Sequence, residues 1–119
     1  MLKKIILELA QFYWRYKFSR KAIINGRVYF GRHTKIQLID GSSKSDIVIG
    51  NNVKLYGALT SQSQGKILIR DGAHIGPFTT IGAVCQVEVG ELAMISRDVE
   101  IMDNNNHPVH PDDRKLMNE

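Results

Sequence analysis

The chain has 119 residues, 43% of them apolar and 24% charged, a balance that fits one globular domain and excludes a disordered or fibrous protein. The formal net charge is +4, and the excess sits at the amino end, where Lys3, Lys4, Arg15, Lys17, Arg20, Lys21 and Arg27 meet a single acid, Glu8. Such an end suits an anionic partner, a membrane surface or a charged glycan precursor, and equally a solvated helix face.

Lys3-Lys4 before an apolar run resembles the opening of a signal peptide, but Glu8 and Gln11 interrupt the run and no small-residue cleavage site follows. No stretch approaches the ~20 uninterrupted apolar residues of a membrane span. A single cysteine, Cys85, leaves no internal disulfide and suits a reducing compartment. The expected location is the cytoplasm, with the inner face of the membrane as a variant of it.

Leu2, Ile5, Ile6, Leu9, Phe12, Tyr13 and Tyr16 recur at the three-and-four spacing of one helical face. Residues 1–22 therefore form an amphipathic basic helix, with Trp14 and Phe18 off the tightest stripe and widening it. The favoured reading is a helix that packs on the end of the following fold or on a neighbouring subunit. The competing use is peripheral membrane contact through residues 2–18, for which cationic helices with aromatic residues are suited.

From residue 23 to 103 the period changes to six. Phe30-Gly31 is followed by Ile36; a break over Gln37–Ile47 holds a surface loop at 41–45. The beat resumes at Ile49 and Leu55 and breaks again over Thr60–Gly65. Then Ile69, Ile75, Ile81 and Val87 fall six apart, and after a two-residue slip Val89, Ile95 and Ile101 continue. Gly76, Gly82 and Gly90 stand second in their hexads. The fifth position holds Val53, Ala73, Thr79, Cys85, Ala93 and Val99, all small or β-branched, so Cys85 is expected to be a core residue.

Strand alternation repeats every two residues and a helix drifts through a period of six, so neither alone explains both columns. A strict six, with a large aliphatic and a small residue four later, makes each hexad one side and one corner of a narrow prism. Three hexads close a coil, and coils stack at the strand spacing of about 4.8 Å. The predicted fold class is all-β, a parallel β-helix preceded by one helix.

The hexads Ile75-Gly76-Pro77-Phe78-Thr79-Thr80 and Ile81-Gly82-Ala83-Val84-Cys85-Gln86 resemble those of the left-handed β-helix acyltransferases. That resemblance, and not the period, implies the left hand. In residues 104–119, a polar loop and chain end, His107-Pro108-Val109-His110-Pro111-Asp112-Asp113-Arg114 is similar to the His-Pro-aliphatic-x-Pro-x-x-Arg stretch of maltose and galactoside acetyltransferases. The surroundings are also similar to acetyltransferases of surface-polysaccharide synthesis. By this match His107 corresponds to the catalytic histidine, a general base for an attacking hydroxyl, and imidazole has a pKa suited to that task. Asp103 and Asn105 are expected to bind the acceptor, or else to act as turn formers. His33, His74 and His110 are expected at the surface.

The resemblance further implies acetyl-CoA as donor, a sugar or surface-polysaccharide acceptor, and a homotrimer with sites between subunits. No nucleic-acid partner is implied. The γ-type carbonic anhydrases use the same scaffold with three histidines on zinc. His107 and His110 do not follow that ligand spacing, so no metal is expected. In the resembling enzymes further hexads follow the catalytic histidine, and here the residues run only to Glu119. The chain thus reads as a shortened transferase, with a non-catalytic remnant or oligomeric interaction module as the alternative.

Overall fold

The computed structural model describes residues 2–103. One helix, α1 (Leu2–Phe18), precedes four coils of three short strands each. The first coil holds β1 (Ile23–Ile24), β2 (Val28–Phe30) and β3 (Lys35–Ile39); the second holds β4 (Ile47–Ile49), β5 (Val53–Leu55) and β6 (Ala58–Gln62). The third holds β7 (Lys66–Ile69), β8 (His74–Ile75) and β9 (Thr80–Ala83), and the fourth β10 (Gln86–Val89), β11 (Met94–Ile95) and β12 (Glu100–Met102). Like strands pair in parallel from coil to coil. The result is three four-stranded sheets, β1-β4-β7-β10, β2-β5-β8-β11 and β3-β6-β9-β12, and a parallel β-solenoid of about four turns.

The register shows how the six-residue beat becomes a stack. Lys66 pairs with Gln86, His74 with Met94 and Thr80 with Glu100, each 20 residues apart along the chain. From the third coil to the fourth the repeat is therefore three hexads plus two residues, whereas the first coil is longer, with Val28 paired to Val53 and Lys35 to Ala58. The aliphatic columns become interior ladders: Phe30, Leu55 and Ile75 stack in one sheet, Ile36, Leu59 and Ile81 in another, and Ile47 with Ile67 and Ile49 with Ile69 in the third. All of these side chains are buried. Each fully buried aliphatic contributes about 1.5–3 kcal/mol, so the ladders are the main source of stability.

The corners repeat at the same interval. Asn52, Gly72 and Leu92 all have left-handed backbone angles, with φ of 59°, 75° and 61°, and so do Phe78 and Asp98, with φ of 62° and 60°. Asparagine and glycine tolerate this conformation, whereas leucine and phenylalanine are held there against a steric cost. Of the glycines in second position, Gly76 is required by close approach: a Cβ there would lie 2.7 Å from the carbonyl carbon of Ser96.

Two expectations are corrected. Cys85 is exposed. The two extra residues of the third coil enter at the corner between β9 and β10, so Cys85 lies on that corner and Ala83 is the last inward side chain before it. The first half of the Thr60–Gly65 break is strand: β6 runs through Gln62, and the turn is at Ser63–Gln64. Ser61 occupies the ladder position of Ala83, and its buried hydroxyl is bonded to the Gly65 carbonyl and to Ser42. A polar side chain can sit inside because its hydrogen bonds are complete.

α1 packs on the first coil, at the end of the solenoid. Its apolar stripe does not pack on the solenoid. Phe18 is buried with its ring 4.9 Å from that of Phe30, Trp14 packs on the core, and Gln11 covers the edge of β2. The Gln11 carboxamide donates to the Phe30 carbonyl and accepts from the Phe30 amide, both at 2.9 Å, as a neighbouring strand would. Leu2, Leu9 and Phe12, on the other side of the helix, are 74%, 64% and 73% exposed.

Candidate functional site

In the first three coils the chain passes from the third sheet back to the first through one polar corner. In the first coil this corner contains a 3-10 turn at Lys44–Asp46. Asp46 is buried, accepts from the Ser43 amide at 2.8 Å and forms an ion pair with Lys66 of the third coil. The bond from Lys66 and then the Ser43 amide hold the Asp46 carboxyl below its ordinary value. In the second coil the Gln64 amide donates to the Ser42 hydroxyl, and the Gln62 amide group donates to Asp40. The corner is thus a column of hydroxyls, amides and carboxylates along one edge.

Asp103 ends this column. It follows β12, and its backbone amide points to the Gly82 carbonyl at 3.4 Å. Its carboxylate accepts three consecutive amides of the corner below: Val84 at 2.8 Å on one oxygen, Cys85 at 2.8 Å and Gln86 at 2.5 Å on the other. Successive amides converging on one anion form a nest. Partial desolvation raises the carboxyl pKa, the three amides together outweigh it, and the net position is below the ordinary 3.8. Both oxygens are therefore engaged with the chain itself, which fixes the point from which residues 104–119 depart. His107 and Asn105, with His110, lie outside the described residues.

A second column runs along the corner between the second and third sheets. Phe78, half exposed in its left-handed conformation, has its ring 4.6 Å from the His33 imidazole and 5.6 Å from the Arg97 guanidinium. Lys35 and Thr80 line the shallow pocket beside it. An aromatic ring with a cation beside it can stack on a planar ligand. Nothing in the six-residue beat distinguishes Phe78 from other corner residues; the only signal was a bulky side chain where glycine or asparagine would be easier. His74 is partly exposed at the start of β8, edge-on to Tyr56 at 5.5 Å. Among the described residues no three His, Cys, Asp or Glu side chains converge as a metal site would need.

A third feature is a recess of about 770 Å³ between α1 and the first coil. Lys4, Arg15 and Arg27 bring positive charge to it, Glu8 the one acid, and Phe12 and Tyr29 apolar surface. Comparison of the chain with family models, curated proteins and solved structures finds no match.

Proposed function

We propose that the chain is the scaffold of an O-acetyltransferase that moves an acetyl group from acetyl-CoA to a hydroxyl of a sugar or surface-polysaccharide precursor. What supports this reading above all is continuity. A parallel β-solenoid built on Ile-Gly hexads leads directly, past an anchored Asp103, into the His-Pro-aliphatic-x-Pro-x-x-Arg stretch at 107–114. Under this reading the solenoid is left-handed and the working unit is a trimer.

In the proposed reaction the His107 imidazole takes the proton of the acceptor hydroxyl as its oxygen attacks the thioester carbonyl. A backbone N–H meets the developing oxyanion. The carbon–sulfur bond then breaks, the sulfur leaves with the proton returned by the imidazolium, and the acceptor keeps the acetyl ester. Asp103 serves this chemistry by anchoring the start of the loop; a role for Asn105 on the acceptor belongs to the same proposal.

The test is acetyl-CoA consumption with a panel of sugar acceptors, together with calorimetric titration of acetyl-CoA. His107→Ala should lower turnover by about 10²–10⁴-fold, the usual contribution of a general base, without changing the unfolding curve. Undiminished activity in that variant removes His107 as the base. No calorimetric binding of acetyl-CoA to the chain favours the interaction module instead.

A further inference from the structure

The faces of α1 are divided in an unusual way. Gln11, Trp14 and Phe18, one face at helical spacing, hold the helix on the first coil. The opposite face carries the apolar stripe, and each of its residues is about half exposed or more, from Ile5 at 49% to Leu2 at 74%. An apolar patch of this extent on a protein surface marks a contact. Because the polar Gln11 makes the strand-like bonds to Phe30, the stripe is free to face away from the solenoid.

Charge decides what it meets. At helical spacing Lys3 and Lys17 flank the stripe on one side; Lys4 and Arg15 lie on the other, beside the solenoid-facing Gln11, where Arg15 donates to the Gly26 carbonyl, and Arg20 and Lys21 follow the helix. No acid stands in the first turn, although Lys3 and Lys4 sit at the positive end of the helix dipole. That arrangement is unfavourable in isolation and is relieved by anions. A second copy does not supply them. Antiparallel pairing of the stripes sets Lys3 and Lys4 against Lys17 and Arg20, parallel pairing sets like residues together, and only Glu8 offsets either. The recess lined by Lys4, Arg15 and Arg27 extends the cationic margin towards the solenoid. Among the described residues no helix is long and apolar enough to cross a membrane.

We propose that α1 lies in the plane of an anionic lipid surface, its outward stripe among the upper acyl chains and its flanking cations at the phosphates. The helix thereby carries the solenoid on the membrane. In-plane helices with aromatic residues on the apolar face and lysine or arginine at the margins bind in this manner. This inference is independent of the proposed transferase chemistry.

The test is flotation of the full chain with vesicles of phosphatidylcholine, alone or containing phosphatidylglycerol, at low and high salt. Binding to the anionic vesicles should be about tenfold or more tighter than to neutral ones and should weaken with salt. Ile5→Glu with Leu9→Glu should abolish flotation while the circular dichroism spectrum and unfolding curve stay unchanged, since neither side chain holds the helix on the solenoid. Lys3→Gln with Lys4→Gln should weaken binding by about tenfold or more. Absence of flotation with anionic vesicles at low salt overturns the proposal, as does unimpaired flotation of the Ile5, Leu9 variant. Loss of a sedimenting oligomer in that variant, with no vesicle binding by the unaltered chain, assigns the stripe to self-association and also overturns it.

Discussion

Removing the Asp103 carboxylate should loosen the corner at Val84–Gln86. Three amides converge on it at 2.5–2.8 Å. A hydrogen bond contributes about 1 kcal/mol net, and more to a charged acceptor. Because Asp103 is exposed and its charge screened by solvent, the lower end applies, so Asp103→Ala should cost about 2–3 kcal/mol. Asp103→Asn offers one acceptor oxygen and turns an NH₂ towards the remaining amides, so about half the loss is expected. Urea unfolding followed by circular dichroism measures the change, and hydrogen exchange at the three amides localises it. The direction of the pH dependence follows from the lowered carboxyl. Held below 3.8 in the folded chain, it stabilises the fold fully above that pH and loses the contribution as pH falls through the folded value. Asp103→Ala should therefore narrow its deficit below pH 3.8. Unchanged exchange at Val84, Cys85 and Gln86 in the alanine variant would refute the nest as their anchor.

The left-handed backbone at Leu92 predicts that Leu92→Asn or Leu92→Gly stabilises the fold by about 1 kcal/mol, read as a rise in urea midpoint. Ile75→Ala, at a fully buried rung, should cost about 3–4 kcal/mol, whereas Ile101→Ala on the half-buried fourth rung should cost about half as much; equal losses would contradict the ladder. Asp46 is also held below its ordinary value, so Asp46→Asn should flatten the acid limb of the stability–pH curve, its relative deficit shrinking as pH falls below 3.8. Cys85 should react with a thiol reagent in the native chain at a rate near that in urea, and strong native protection would contradict its exposed corner position.

The interior ladders were legible because large aliphatics at a strict interval of six fit a stacked coil and neither a helix nor a plain strand. Ile69, Ile75, Ile81, Val89, Ile95 and Ile101 are rung partners in the register as they are in the beat. What was illegible lay where polar groups do structural work. Ser61 reads as a loop residue because its partners, Ser42 and Gly65, are set by coil stacking and not by local spacing. Cys85 fits the small-residue column numerically, but the two-residue insertion falls before it, at a corner held by a carboxylate 18 residues later. For α1, periodicity identified the helix and its apolar face, yet not which face the solenoid would take. A glutamine that imitates a strand edge and an off-stripe phenylalanine outcompeted seven apolar residues. In the site, the departure point of the histidine loop emerges from the nest on Asp103, while the motif itself was visible only as a resemblance.

The membrane and transferase proposals draw on opposite ends of a one-dimensional stack. Each coil contacts only its neighbours, so a change at one end has little route to the other except by altering the intervening rungs. The cations and apolar stripe belong to residues before the first coil, and the nest that launches the histidine loop joins the third coil to the fourth. Three strand spacings, about 15 Å, separate the first and fourth coils. Substitutions that release α1 from lipid should therefore leave chemistry on a soluble acceptor intact. Substitutions at His107 should leave flotation intact. Coupling between them would arise only with an acceptor itself held at the lipid surface, because the ladder of buried aliphatics keeps that separation nearly constant.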